Sequence, residues 1–307
     1  MGAKYQKNYT ESEYLKLNKK IIGGVAIIAI LVISLGVVFG TGFDKPHRTI
    51  DITGSTTVLP ISQRCAEEWT TTKNPDRNHP YYDEINVAGG GSGVGKKDLI
   101  DGNNDIADSS SSMKPEEYAD AYANGVNPVE HVIALDGLSI AVHPTNGLTD
   151  ISMAEIKAIY DGTITDWSEL GQPAGQIVVY NRESSSGTFE TFEKKVMDEE
   201  PIRADAIEKT SNGAMKQAVS GDPLGIAYIG IGYVDESVKA LTVDGIVASE
   251  DTVRAGKYPI ARELYMYTDG TLAEQENTLV TDFINFVLST RGQELVVEVG
   301  FISVYAL

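Results

Sequence analysis

The hydrophobic pattern of the chain falls into two unlike parts. From Ile21 to Phe39 the residues are apolar, interrupted only by glycines and one serine, and this run is long enough to cross a hydrocarbon core as a helix. Lys16, Lys19 and Lys20 precede it and no cation follows until Lys45, so the positive-inside bias places residues 1–20 in the cytoplasm and the rest of the chain outside. The segment 21–39 thus reads as an uncleaved membrane anchor, with a cleaved signal peptide and secretion as the alternative. The run exceeds the usual signal core and has no clear Ala-x-Ala site. No cysteine follows it to carry a lipid.

After a short Gly/Pro-containing tether, residues 40–48, the pattern changes to short strand-like runs alternating with helix-like ones, the signature of α/β layers. Strands are predicted at Thr49 to Thr53, Glu84 to Ala88 and Ile177 to Asn181, each followed by a helix: Val58 to Thr70, Val94 to Asp101 and Phe189 to Met197. Further helices follow at Leu279 to Leu288 and Gly292 to Val299, the last ending in Gly300-Phe301-Ile302. Ser139 to Val142 and Leu264 to Tyr267 read as two crossings between lobes. The predicted layout is one lobe of residues 49–140 plus 259–307 and a second of residues 141–258, with a ligand cleft between them that closes by hinge motion.

Between each of the three strands and its helix lies a cluster of small and hydroxyl residues: Gly54-Ser55-Thr56-Thr57, Gly90-Gly91-Ser92-Gly93-Val94-Gly95 and Arg182-Glu183-Ser184-Ser185-Ser186-Gly187-Thr188. A helix N-terminus leaves backbone N–H groups without intrahelical partners, and small residues let an anion approach them. Open α/β sheets place ligands at this junction. Each cluster by itself also reads as an ordinary N-cap with turn glycines. Three of them on one chain, one led by an arginine, point to a site that surrounds a tetrahedral oxyanion.

Composition narrows the chemistry. The 307 residues carry a formal charge of -19, which excludes the basic face that nucleic-acid binding requires. An anion must therefore be held by directed hydrogen bonds rather than by a diffuse positive field. Cys65 is the only cysteine, so no intramolecular disulfide forms, and it reads as a small buried hydrophobe. His47, His79, His131 and His143 lack metal-ligand spacing, and neither a metal nor a cofactor is expected. Gly90 to Lys97 nearly matches a nucleotide phosphate loop, but Lys97 stands where a magnesium-binding Ser or Thr belongs. The serine-hydrolase elbow fails at Ser92 and Ser186, because Val94 and Thr188 replace its final glycine.

The ordered motifs carry a family resemblance. Gly54-Ser55-Thr56-Thr57-Val58-Leu59-Pro60, the Gly90 to Gly95 cluster, Asp105-Ile106-Ala107, Ile159 through Trp167 and Arg182 through Thr188 resemble the signatures of PstS-type proteins, the substrate-binding proteins of the ABC phosphate importer. Gly225-Ile226-Ala227-Tyr228 and Gly292 through Ile302 extend the likeness to about residues 50–302. The resemblance implies a two-lobed type II periplasmic-binding-protein fold, acting as a monomer, that closes on inorganic phosphate and delivers it to a membrane permease without catalysing a reaction. It implies contacts from Thr56 and Thr57, by backbone N–H and hydroxyl, from Ser92, and from Arg182, Ser186, Gly187 and Thr188, with Arg182 as the single cation. Some members place an aspartate, five residues after the match to Asp105, to accept the proton of phosphate; here that residue is Ser110, as in other members. The readings left open are a binding protein for sulfate, molybdate or tungstate, and an extracellular phosphoester hydrolase using Ser92 or Ser186.

Overall fold

A computed structural model describes residues 48–73 and 82–306. The anchor segment 21–39 and all but the last residue of the tether lie outside the described residues. Among the described residues no helix is long and apolar enough to cross a membrane.

The chain begins with β1 (Thr49–Gly54), α1 (Leu59–Lys73), β2 (Glu84–Ala88), α2 (Ser92–Ile100), β3 (Ile106–Ser109) and α3 (Pro115–Ala123). β1 lies between β2 and β3, parallel to both, as strands joined by helical crossovers allow. The long β4 (Pro128–Val142) follows, then β5 (Asp150–Ile151), α4 (Met153–Asp161), β6 (Val178–Arg182), α5 (Gly187–Lys195), β7 (Ile207–Lys209), α6 (Asn212–Ser220) and β8 (Gly225–Gly230). β9 (Lys239–Ala240), β10 (Thr242–Val243), α7 (Glu250–Arg254), β11 (Ala261–Asp269), α8 (Thr278–Val287) and α9 (Thr290–Glu298) complete it.

One sheet runs in the order β2-β1-β3-β11-β4-β8-β6-β7, with β9 also on β4. Its continuity across two lobes rests on β4. Residues 128–137 pair antiparallel with β11, while Leu138 to Val142 pair antiparallel with β8. From Leu138 onward every residue of β4 is buried, the mark of a strand covered on both faces. Two large cores follow from this arrangement. One contains Ile50, Ile61, Leu264, Phe283, Ile284 and Leu295, and the other Ile140, Ile159, Tyr160, Trp167, Phe192 and Tyr228. In the first core α8 buries Leu279, Val280, Phe283, Ile284 and Val287, a stripe at helical spacing. Phe283 and Phe286 meet the edge of Trp69 on α1. The carboxyl-terminal return is visible as an antiparallel bridge between Ile302 and Leu135.

The two predicted crossings are pieces of longer strands. Ser139 to Val142 is the end of β4. Leu264 to Tyr267 lies inside β11, which pairs with β3 and with residues 128–137 of β4. The chain returns upstream of it, through Tyr258 and Ile260, where the Leu138 N–H donates to the Ile260 carbonyl at 2.9 Å. The start of β11 escapes hydrophobic periodicity because it contains Arg262 and Glu263, and Arg262 is buried only because Asp136 stands opposite it.

Asp108 on β3 is fully buried and accepts a 2.6 Å hydrogen bond from Ser62 on α1. Its Oδ1 has no partner, and burial pushes its pKa from 3.8 up to about 8. A raised acid binds its proton more tightly in the folded chain than in the unfolded one, so its contribution to stability is complete below about pH 4 and declines as pH rises towards 8. Replacing Asp108 by Asn removes this titration. We expect the melting temperature of Asp108→Asn, relative to the parent, to improve steadily between about pH 4 and pH 8; a constant difference across that range in calorimetric scans would contradict it.

Candidate anion-binding site

Because β1, β2 and β3 are parallel, the loops that follow them emerge at one edge, and this brings Thr56, Thr57, Ser92 and Ser110 together. In the second lobe β6, β7 and β8 are likewise parallel, so their carboxyl ends present Arg182, Asn212 and Gly230 side by side. The two edges meet. Thr57 Oγ1 lies 2.9 Å from Thr188 Oγ1, and the Gly93 N–H donates to the Ser185 carbonyl at 2.9 Å. All three sequence clusters therefore converge, and Thr57, Ser92, Ser110, Arg182, Ser186 and Thr188 are each nearly or fully buried.

Helix starts govern the local geometry. Ser55 Oγ accepts from the N–H groups of Thr57 and Val58, and Ser186 Oγ caps α5 by accepting from Thr188 and Phe189. The Thr57 N–H that sequence comparison offered to a ligand is thus engaged by Ser55, and the Thr57 hydroxyl is the group that faces the opposite lobe. Ser92 Oγ accepts the Ser110 N–H at 3.0 Å and lies 3.2 Å from Ser110 Oγ. Gly187 packs directly on this pair: a Cβ there would stand 2.4 Å from Ser92 Oγ and 2.7 Å from Ser110 Oγ.

Arg182 is 1% exposed. Its Nε and Nη2 donate to the carbonyls of Lys209 and Thr210, while its Nη1 is buried without a partner. Burial lowers its pKa, an effect opposed by Tyr228 and Glu183 and reinforced by the neighbouring Arg262. The Arg182 N–H donates to the Tyr228 hydroxyl, which donates in turn to Asn181 Oδ1 at 2.5 Å. Burial raises the Tyr228 pKa, so the phenol keeps the proton this chain of bonds requires.

Arg182 is not the single cation. Arg262 pairs through Nε and Nη2 with the fully buried Asp136, at 2.8 and 2.7 Å. Its remaining N–H groups reach Thr57 Oγ1, Thr188 Oγ1 and the carbonyls of Ser110 and Gly187, so it touches both lobes. Asn212 was also missed; its Nδ2 donates to Thr57 Oγ1 at 2.8 Å. A signal existed in the sequence, since an arginine opening an apolar strand calls for a buried acid, but its partner Asp136 lies far away along the chain. At the rim, Glu190 of α5 pairs with Lys114 at 3.1 Å and Lys96 at 3.5 Å and accepts a hydrogen bond from Ser111. A cavity of about 760 Å³ opens beside these residues, lined in part by Ser110, Lys114, Thr191 and Arg262.

Arg262 and Asp136 are buried beside Thr57 and Thr188, and the buried Arg182 leads the third of the hydroxyl-rich clusters that meet there. Such an arrangement defines a closing, two-lobed binding protein for a small anion. The PBP superfamily domain matches residues 41–291. The phosphate-binding protein PstS of Bacillus subtilis is 33% identical over 266 residues, covering 86% of this chain and 83% of that protein. A Clostridium perfringens structure, assigned as a phosphate ABC transporter substrate-binding protein and solved with bound phosphate, superposes with a TM-score of 0.75 at 33% identity, covering 84% of this chain and 100% of that one. An ABC-type phosphate transport receptor from Vibrio cholerae gives a TM-score of 0.65 at 29% identity, covering 82% and 99%. The chain belongs to the PBP superfamily and, within it, to the PstS-type phosphate-binding proteins.

The packing of Gly187 yields a direct test. Gly187→Ala places a methyl group where Ser92 and Ser110 now touch the opposite lobe, so the lobes should be held apart. Small-angle scattering should give a larger radius of gyration than the parent's in saturating phosphate; an unchanged radius would show that the contact is not needed for the closed form.

Proposed function

We propose that this chain captures inorganic phosphate outside the cytoplasm by closure of its two lobes and passes it to an ABC-type phosphate permease, with no chemistry of its own. The observation that carries the reading is the buried, unpartnered Nη1 of Arg182 at the meeting point of three donor-rich loops. A buried guanidinium N–H without an acceptor is costly, and an anion oxygen supplies the acceptor. Thr56, Thr57, Ser92 and Ser110 contact the anion from one side, and Arg182, Ser186, Gly187 and Thr188 from the other. The moving bodies are residues 49–140 plus 259–307 and residues 141–258. Residues 21–39 anchor the chain in the membrane with residues 1–20 in the cytoplasm, and the protein works as a monomer.

The names of the relatives support the ligand and the transport partner. The hydrolase reading finds no support in the site. Ser186 Oγ is occupied as a helix cap, and His131 and His143 bond Thr268 and Thr145 rather than either candidate serine.

Calorimetric titration of the full chain in detergent should show saturable phosphate binding. Arg182→Met should weaken it roughly ten- to a hundredfold, the value of about 1.5–3 kcal/mol for a hydrogen bond to a charged group. Absence of binding by the parent chain at millimolar phosphate would overturn the reading.

A further inference from the structure

The cleft also carries charges that the capture of an anion does not use. On α5, Gly187, Glu190 and Thr191 stand at i, i+3 and i+4 and so share one face of the helix. That face lies on the loop after β3. Gly187 packs on Ser92 and Ser110, Glu190 accepts a hydrogen bond from Ser111 Oγ, and Thr191 Oγ1 donates to the Ser110 carbonyl at 3.3 Å. α2 opposes it with the same spacing. Ser92 opens that helix beside Ser110, and Lys96, one turn further on, brings its Nζ to 3.5 Å from the Glu190 carboxylate. Glu190 pairs with Lys114 as well, at 3.1 Å.

A carboxylate so near an anion site works against it, because like charges repel. Two ammoniums offset this one, and their surroundings differ. Lys96 is 1% exposed and is shared between Glu190 and Glu117 of its own lobe, 2.9 Å away. Lys114 is half exposed and lines the cavity beside the site; its hydrogen bond to Glu190 raises its pKa, so it stays charged. When the lobes part, Lys96 keeps Glu117, which spares the first lobe a buried and unpaired ammonium. Glu190, in contrast, loses Lys96, Lys114 and Ser111 together. Its bonds to the first lobe exist only in the closed form.

We infer that Glu190 is a positioning residue whose ion pairs with Lys96 and Lys114 clasp the start of α5 to the first lobe and thereby slow the escape of bound phosphate. This rests on the phosphate reading above and deepens it by naming what, besides the anion itself, keeps the lobes together. In capture by closure the anion enters before the clasp forms and leaves only after it has opened. The effect of the clasp therefore falls on the dissociation rate rather than on association.

The test uses the full chain in detergent. Loss of radiolabelled phosphate is followed by rapid filtration after an unlabelled chase, and the association rate is taken from this rate and the calorimetric Kd. Glu190→Gln keeps the shape of the side chain and removes its charge. It should raise the dissociation rate about tenfold and leave association within about a factor of two. Unchanged or slower dissociation would show that the acid holds nothing closed, and would overturn the inference. Glu117→Gln is the control, since it takes the same charge from Lys96 inside one lobe. It should leave dissociation unchanged or slow it; an acceleration equal to that of Glu190→Gln would mean that the cluster only supports the fold of the first lobe. Lys114→Gln should speed dissociation about threefold and, combined with Glu190→Gln, bring no further increase. Rates that multiply would refute the pairing. Should Glu190→Gln fail to fold, Lys114→Gln, at its half-exposed position, carries the test alone, and an unchanged dissociation rate there overturns the inference. A parent chain that binds no phosphate is a different failure: it removes the function itself, and the clasp with it.

Discussion

The buried ion pair between Asp136 and Arg262 stands where β4 and β11 run side by side and where both lobes meet, and the interior of the cleft is organised around it. Removing both charges from water is costly, and such a pair persists only when its other hydrogen-bonding capacity is also met. Here it is. Asp136 accepts a backbone N–H from the end of β8, and Arg262 is spread over two threonine hydroxyls and two carbonyls from opposite lobes. Taking away one partner alone would cost about 3–5 kcal/mol, because the other would remain charged and unpaired. The pair therefore couples the rigidity of the crossing strands to the direction of the hydroxyls in the site.

A protein with formal charge -19 cannot draw an anion in with its overall field. The site answers this locally. Serine caps at Ser55 and Ser186 engage several of the helix N–H groups, so much of the donor set consists of side-chain hydroxyls whose lone pairs are already filled by N–H groups. Preorganised donors of this kind need little reorganisation when an anion arrives. Arg182 adds a buried charge whose free N–H has no alternative acceptor. Close packing of Gly187 on Ser92 and Ser110 then ties the geometry of the site to the approach of the two lobes.

Much of this was legible along the chain, and some was not. The strand, cluster and helix order appears as read at β1, β2 and β6, because alternating apolar residues, turn glycines and hydroxyl caps are local signals. Thr57, Ser92, Arg182, Ser186, Gly187 and Thr188 lie in the clusters that those signals mark, whereas Ser110 was named only from the family resemblance, and the structure brings the three clusters together. Arg262 and Asn212 were not. Each lies outside a glycine-rich cluster and has a functional neighbour more than a hundred residues away. The extent of β11 was hidden for the same reason, since its first residues are charged and become strand only beside Asp136.

By itself, then, the chain of residues determined where helices begin, which loops carry hydroxyls and that any anion must be held by directed bonds, since these depend on neighbours within a few positions. The tertiary structure alone decided which groups surround those hydroxyls. A hydroxyl is both donor and acceptor until its surroundings occupy its lone pairs, and at Thr57 those surroundings are Arg262 and Asn212, which the fold brings beside it from far along the chain.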